Sequence, residues 1–203
     1  MACNNLETTW LLVYEDKAEM HRIMVLRWSE GYVLLRGALF NRQIEIAKLL
    51  LNYGCKVNSK NIIPSDSPLH LAVVSSDTEV VEMILDKGAR INAVDKLGET
   101  PLHCAIKNSD KNVEMTKLLL KHGSNVKVRT NYGRSPLHLA ASRKCPQTVD
   151  YLLMHGADVN VIEYNGASPL HLAVLENALK LLIIFSNMEP MLISMLAYDG
   201  NCV

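Results

Sequence analysis

The chain has 203 residues, of which 49% are hydrophobic and 21% are charged, and its formal net charge is zero. This composition is that of a folded globular chain and excludes a low-complexity or disordered one. Without net charge there is no global field that would favour nucleic acid or a membrane surface. The five cysteines are odd in number and share no zinc-like spacing, which favours a reducing compartment over a disulfide scaffold.

The first predicted element is a helix over about residues 17–28. Asp16 and Glu19 have the spacing of a capping box, and apolar residues recur at helical spacing after them. We predict that this segment caps the end of the core that follows; the alternative is a separate binding element that uses Trp10 and Trp28. No basic region followed by an apolar run stands at the start of the sequence. The predicted location is therefore the cytoplasm, with the nucleus as the alternative.

One phrase of six residues then occurs four times. It reads Ser-Pro-Leu-His-Leu-Ala from Ser67, and it returns with small changes from Thr100, Ser135 and Ser168. Successive copies are 33, 35 and 33 residues apart. A hydroxyl residue followed by proline is typical of the N-cap and the first position of a helix. A constant period of this size predicts a stacked repeat protein.

A second apolar run follows each of the first three copies and predicts a second helix. A glycine that suits a helix C-terminus comes soon after each run, and a further glycine marks a turn before the next phrase. The unit is therefore helix, loop, helix and turn. The runs with their two glycines are Val80–Leu85 with Gly88 and Gly98, Met115–Leu120 with Gly123 and Gly133, and Thr148–Leu153 with Gly156 and Gly166.

This unit resembles the ankyrin repeat. The Ser/Thr-Pro-Leu-His phrase, the Leu-rich second helix and the 33-residue period are features of that family, and they cover about residues 33–173. The resemblance implies an all-α fold, an ankyrin-repeat α-solenoid of helix-turn-helix repeats joined by hairpin-like loops. We expect one elongated domain, because a solenoid buries its core between neighbouring repeats.

The register of the phrase sets the predicted boundaries. In the first repeat it places Val33-Leu34-Leu35-Arg36-Gly37-Ala38 where the phrase should stand, so the cap, the proline and the histidine are missing. The residues after Pro190 are strongly apolar, and we predict an unfinished repeat or a surface for self-association there. A membrane span is disfavoured because charged residues and a proline interrupt the run. The predicted segments are 1–32 (cap), 33–62, 63–95, 96–130, 131–163 and 164–188 (repeats), and 189–203 (tail).

The histidine of each phrase invites a metal or catalytic interpretation. These residues stand one repeat apart, which is too far for ligands that must all lie within about 2.0–2.1 Å of a zinc ion. We therefore expect hydrogen-bonding struts between turn and helix. Glycine-rich phosphate loops, paired metal-ligand motifs and nucleophiles with a motif-supported base are missing. The sequence thus predicts no enzyme, no cofactor, no metal and no small-molecule substrate. The histidines are His70, His103, His138 and His171.

The charges are unevenly distributed. Residues 107–144 carry nine Lys and Arg against two Asp and Glu, whereas residues 145–203 carry one against six. This basic band is either ordinary solvation of helix faces or an electrostatic guide for a partner. Nucleic acid is disfavoured as that partner, because aromatic residues are not interleaved with the basic ones.

The resemblance implies a concave partner-binding face made of turn tips and first helices. Leu97, Tyr132 and Tyr164 are apolar or aromatic at tips that have no core to fill, and Tyr is a common interface anchor. Scattered surface residues are the alternative. The candidate partner-binding residues are Lys96, Leu97, Glu99, Lys107, Asn108, Asn131, Tyr132, Arg134, Ser142, Arg143, Tyr164 and Asn165.

The predicted function is therefore non-enzymatic binding of a protein partner by an interaction module or scaffold. One alternative is a recruiting arm of a larger assembly, such as a ubiquitin ligase, a channel or a kinase. Another is an inhibitor that masks a transcription factor or a kinase. An appended recruitment motif would favour the first alternative, and competition by a ligand of the masked protein would favour the second.

Overall fold

The computed structural model describes residues 30–58, 66–108 and 113–188. Within these residues the chain forms ten α-helices and no strand, as the all-α prediction requires. The chain divides into two compact units, Met1–Lys96 and Leu97–Val203, and the single elongated domain stays a prediction. The predicted capping helix over 17–28 and the apolar tail over 189–203 lie outside the described residues.

The first unit contains two helix pairs. The helix α1, described from Glu30 to Phe40, packs on both α2 and α3. The second helices α2 and α4 also pack on each other. First helices therefore neighbour first helices and second helices neighbour second helices, so the unit has two layers. The helices are α1 (Glu30–Phe40), α2 (Ile44–Asn52), α3 (Pro68–Ser75) and α4 (Thr78–Asp86).

The second unit repeats this arrangement with three helix pairs. Its first helices α5, α7 and α9 form one layer and its second helices α6, α8 and α10 form the other. The core lies between the layers, where Leu102, Leu119, Leu137, Leu152 and Phe185 are almost completely buried. Each such side chain contributes about 1.5–3 kcal/mol of transfer free energy. The helices are α5 (Pro101–Lys107), α6 (Val113–Lys121), α7 (Pro136–Ser142), α8 (Pro146–Met154), α9 (Pro169–Leu175) and α10 (Leu179–Met188).

The predicted helix starts are confirmed. In all four copies of the phrase the hydroxyl residue is the N-cap, in extended conformation, and proline occupies the first turn. The glycines predicted after the second helices are confirmed as well: Gly88, Gly123 and Gly156 have φ of 77°, 89° and 81°. Only glycine adopts this left-handed conformation without a steric cost, which explains its place at these C-termini.

The histidine of the phrase joins a repeat to the turn of the next one. In the fourth repeat the backbone N–H of Ser135 donates to Nδ1 of His138 over 3.1 Å, and the Ser135 hydroxyl oxygen lies 2.9 Å from the same nitrogen. Because Nδ1 accepts, the proton is assigned to Nε2, which donates to the carbonyl of Ala167 over 3.1 Å. His103 reaches the carbonyl of Arg134 in the same way, over 3.3 Å. The predicted strut is confirmed, and it extends into the following repeat.

The first repeat has no such histidine, yet it makes the equivalent bridge with an arginine. Arg36 stands two residues before Ala38, as His138 stands two residues before Ala140. Its Nε donates to the carbonyl of Asp66 over 3.0 Å. Asp66 directly precedes the cap of the next repeat, as Ala167 does. A long side-chain donor at this position therefore replaces the imidazole.

Candidate functional site

The turn tips of the second unit are joined to one another through their backbones. The N–H of Asn131 donates to the carbonyl of Leu97 over 2.8 Å, and the N–H of Tyr164 donates to the carbonyl of Tyr132 over 3.2 Å. These pairs occupy equivalent positions in successive repeats. Backbone atoms alone make both bonds, so the spacing of successive tips does not depend on their side chains.

Two tyrosines of these tips are largely exposed. The exposed fraction is 63% for Tyr132 and 74% for Tyr164, and Leu97 is also exposed. The ring of Tyr164 packs directly on the backbone of Gly133, where a Cβ atom would lie 2.8 Å from Cδ1 of the ring. The exposed ring thus rests on a glycine, and any larger residue at Gly133 would displace it.

An arginine side chain also packs against the ring of Tyr164. The guanidinium carbon of Arg129 lies 5.7 Å from the centroid of the Tyr164 ring, a cation–π distance. Arg129 is itself held by hydrogen bonds from Nε to the carbonyl of Gly133, over 2.8 Å, and from Nη2 to the carbonyl of Ile162. Tyr164 is therefore exposed but positioned in advance.

A pocket of about 280 Å³ opens beside the two rings. Its lining combines aromatic, ionic and amide groups. Arg134 Nε donates to Oε2 of Glu163, and the Glu163 side chain is only 3% exposed against 41% for Arg134. A buried carboxylate requires such a partner. The lining residues are Tyr132, Arg134, Glu163, Tyr164 and Asn165.

Glu99 is not exposed as predicted, whereas the Lys107 side chain that pairs with it is 39% exposed. Glu99 was expected at an open tip, but it is buried, with Lys107 Nζ 2.7 Å and 2.9 Å from its two carboxylate oxygens. The ion pair explains the position of both side chains: Lys107 compensates the buried charge of Glu99. This pair joins the turn to the helix within one repeat.

The other predicted residues are distributed as follows. Lys96 is exposed and is the last residue of the first unit. In the second unit Asn108, Asn131 and Arg143 are exposed. Ser142 is half-buried, and its hydroxyl donates to the carbonyl of Leu139 over 2.9 Å. The structure thus gathers Tyr132, Arg134, Tyr164 and Asn165 around one pocket, with Asn131 in the same tip.

Sequence reasoning missed three residues that hold these elements in place. Glu163 lines the pocket, and Arg129 contacts the ring of Tyr164. Arg36 joins the first repeat to the turn of the next one. Only Arg36 had a readable signal, since the repeat register places it where the histidine stands in other repeats. The ion pair and the cation–π contact depend on loop conformations that the register does not specify.

Among residues 30–58, 66–108 and 113–188, no three His, Cys, Asp or Glu side chains are arranged to hold a metal ion. In the same part of the chain, none of the helices combines the length and the apolar character needed to cross a bilayer. The four histidines of the phrase accept hydrogen bonds from the backbone N–H of their N-cap residues.

Comparison with known proteins gives one family and several relatives. The chain matches the family described as "Ankyrin repeats (3 copies)" over residues 1–95, 34–130, 69–163 and 132–192. It is 38% identical over 94 residues to the ankyrin repeat protein FPV024 of fowlpox virus, covering 45% of this chain and 16% of that protein. It is 33% identical over 110 residues to the nuclear factor NF-kappa-B p105 subunit of Gallus gallus, covering 52% and 11%.

A third relative is the human ankyrin repeat and SOCS box protein 6. The identity is 37% over 97 residues, which cover 44% of this chain and 23% of that protein. The chain therefore spans less than a quarter of the length of each of these three relatives. What the relatives share with it is a stretch of repeats.

Proposed function

Because the chain belongs to the ankyrin-repeat family, whose repeats generally mediate protein–protein interaction, we propose that it binds a protein partner and catalyses no reaction. The proposed contact surface is the tip surface, defined as Asn131, Tyr132, Arg134, Tyr164 and Asn165. The observation that carries the proposal is the pair of exposed tyrosine rings beside a pocket whose wall contains an ion pair with a buried carboxylate.

The energetics of binding favour such rings as anchors. Tyrosine offers a large contact area with few rotatable bonds, so little conformational entropy is lost when it is fixed in an interface. Tyr164 already rests on Gly133 and Arg129 before any partner arrives. Preorganisation of this kind raises affinity because the ordering cost is already met in the free protein.

The charge distribution supports a partner whose contacting segment is acidic. Residues 107–144 are rich in Lys and Arg, and exposed Lys121, Lys127 and Arg143 belong to this stretch. Some of its cations are paired internally, such as Lys117 with Glu114 and Lys144 with Glu176. The remaining excess acts mainly on the rate of association and makes that rate fall with rising salt.

The test is affinity capture with two matched baits beside the wild type. The first bait carries Tyr132→Ala and Tyr164→Ala. The second carries Phe40→Ala and Met154→Ala, which remove exposed apolar side chains of the helices α1 and α8 rather than of the tips. Arg134 is left intact, since its removal would leave Glu163 buried without its partner. We expect prey that is lost only from the first bait. Identical prey on all three baits would contradict the proposed surface.

A second candidate is a recruiting arm of a larger assembly. It is favoured by the human relative whose name joins ankyrin repeats to a SOCS box, because only the repeat stretch of such a protein would match this chain. In that case the tip surface would capture the cargo, and an assembly subunit would appear among the prey of both variant baits. A prey list without such a subunit would favour the simple binding module. Masking of a transcription factor or kinase would show as competition with that protein's own ligand.

The location and the segment boundaries also remain proposals. Cys55, Cys104 and Cys145 are thiols rather than disulfides, which supports the cytoplasm. Imaging of the tagged full-length protein tests this. Limited proteolysis tests the boundaries, because a stable fragment that begins or ends inside a predicted repeat would contradict them.

A further inference from the structure

An open basin of about 500 Å³ lies in the first unit, between the loop that follows α2 and the loop that follows α4. It is separate from the tip surface in sequence and in the unit to which it belongs. We call it the basic basin, because three cationic side chains line it. Its lining is Gly54, Cys55, Lys56, Val57, Asn58, Lys87 and Arg90.

The backbone of the basin is held together by one asparagine. Asn58 Nδ2 donates to the carbonyl of Gly88 over 2.8 Å, and Asn58 Oδ1 accepts from the N–H of Arg90 over 3.0 Å. The amide therefore clamps the first loop to the second at two adjacent points. This clamp fixes the spacing of the walls from which the cationic side chains extend.

The charges of the lining are all of one sign. Lys56, Lys87 and Arg90 contribute three positive charges, and the described lining contains no carboxylate. Burial raises the pKa of the Cys55 thiol to about 11, although nearby Lys87 opposes this. The thiol therefore stays neutral near pH 7 and does not offset the cations.

Helix dipoles do not account for this cluster. A cation stabilises a helix C-terminus only within the last turn, and Lys56 and Arg90 lie four residues beyond the ends of α2 at Asn52 and α4 at Asp86. Only Lys87, the C-cap of α4, has that explanation.

The equivalent loops of the second unit show the role of the residues that stand where the first unit has Lys56 and Arg90. Two residues after the C-terminal glycine, where the first unit has Lys56 and Arg90, the second unit has Asn125 and Asp158. Asn125 Oδ1 accepts from the N–H of Lys127 and Asp158 Oδ1 accepts from the N–H of Asn160, each over 2.9 Å. The acceptor side chains close their own loops, a task that Lys and Arg cannot perform because they have no acceptor atom.

We propose that the basic basin binds a phosphate-bearing anion. A dianionic phosphate group matches a lining with three cationic side chains better than a single carboxylate does, and an arginine can donate two parallel hydrogen bonds to it. The size of the basin suits a small phosphorylated molecule or the exposed phosphate of a lipid headgroup. The site goes beyond the proposed partner binding and does not depend on the tip surface.

Titration of the full chain with inorganic pyrophosphate, followed by proton–nitrogen correlation spectra, tests the proposal. We expect saturable shifts confined to the amides of residues 54–58 and 87–90. The variant Lys56→Gln/Lys87→Gln/Arg90→Gln should weaken binding by about tenfold or more. The matched control Lys121→Gln/Lys127→Gln/Arg143→Gln removes the same charge in the second unit and should change binding by less than about twofold.

Equal losses in the two triple variants would overturn the proposal, as would shifts spread over the whole spectrum or the absence of saturable binding. If the first triple variant does not fold, Lys87→Gln and Arg90→Gln alone should each weaken binding, and no effect from either would also overturn it. Vesicles of phosphatidylcholine with and without a phosphorylated phosphatidylinositol identify the source. Cosedimentation that needs the phosphorylated lipid and the three cations points to a headgroup, whereas pyrophosphate binding without cosedimentation points to a soluble phosphate compound.

Discussion

The first repeat, α1 with α2, lacks the phrase on which the fourth repeat, α7 with α8, is built. Both nevertheless bury the same positions, since Leu35 and Leu137 are each 0% exposed at equivalent sites. Both also reach the turn of the next repeat with a side-chain donor, an arginine in one and a histidine in the other. What differs is the start of the first helix.

The difference separates the role of the apolar positions of the phrase from the role of its capping residues. The helix α1 has 11 residues and no capping phrase, whereas α7 has seven residues and the full phrase. A short helix has few internal hydrogen bonds to offset the cost of its first turn, so a good cap matters more to it. Apolar spacing therefore sets the core of a repeat, and the cap of the phrase supports the short first helix of the fourth repeat.

The largest expected effect tests whether the two cores are equivalent. We expect Leu35→Ala and Leu137→Ala each to lower the free energy of unfolding by about 2–5 kcal/mol, because each leaves a cavity in a closely packed layer. Urea denaturation followed by circular dichroism measures both. Leu175→Ala is the control, since Leu175 is 78% exposed and should cost less than about 0.5 kcal/mol. A much smaller loss of unfolding free energy for Leu35→Ala would show that the cores of the two repeats are not equivalent.

The next effect concerns the two bridges. His138→Ala should cost about 1–3 kcal/mol, because it leaves the N–H of Ser135 and the carbonyl of Ala167 without their partner in a partly buried site. Arg36→Met should cost only about 0.5–1.5 kcal/mol, because its bond to Asp66 is exposed and water can replace it. Thermal and urea unfolding of both variants measure the difference, with exposed His122→Ala as the control. Equal losses would mean that burial does not determine how much a bridge contributes to the free energy of unfolding.

Much of this comparison could be predicted from the sequence. The phrase gave the starts of α3, α5, α7 and α9, since a hydroxyl cap before proline specifies a helix start locally. The glycines gave the ends of α4, α6 and α8 for the same reason. These features depend on residues within a few positions of one another, which a single sequence displays.

The features that the sequence did not reveal depend on side chains from different repeats or different parts of one repeat. Arg36 and Asp66 are 30 residues apart and Arg134 and Glu163 are 29 apart. Glu99 was expected at the surface because its position in the turn is a tip position. Glu99 can be buried because Lys107, the last residue of α5, pairs with its carboxylate. Long charged side chains have several rotamers, and the register fixes their Cα positions but not their partners.

A smaller effect is expected in the loop after the second helix. At the position where the first repeat has Cys55 and the fourth has Ala157, the third repeat has Ser124. Its hydroxyl is buried and has no hydrogen-bond partner among the described residues. Ser124→Ala should therefore raise the free energy of unfolding by about 1 kcal/mol.

The control for this change is Ser142→Ala, which removes a hydroxyl that donates to the carbonyl of Leu139 over 2.9 Å. We expect no stabilisation there. Urea denaturation of the two variants side by side isolates the effect of hydrogen bonding from that of removing one oxygen atom. A loss of stability for Ser124→Ala would show that its hydroxyl makes a favourable contact.

The smallest expected effect separates the two bridges by pH. Burial lowers the pKa of His138 below its ordinary value of 6.5, and the hydrogen bond to the carbonyl of Ala167 partly opposes this. Between the lowered value and 6.5 the unfolded chain binds more protons than the folded one, so stability rises with pH. The contribution of the neutral ring is fully present above pH 6.5 and is lost as the pH falls toward the folded value. His138→Gln should remove this part of the pH dependence.

The guanidinium of Arg36 keeps its charge over the same range, so Arg36→Met should lower stability by the same amount at each pH. The measurement is the urea midpoint of wild type, His138→Gln and Arg36→Met between about pH 5.5 and 7.5, a range chosen to bracket ordinary imidazole titration. The slope should flatten only in the histidine variant, because only that bridge exchanges a proton on unfolding. Parallel slopes in all three proteins would mean that His138 titrates alike in the folded and unfolded chains, and that its burial is too shallow to disfavour the charged ring.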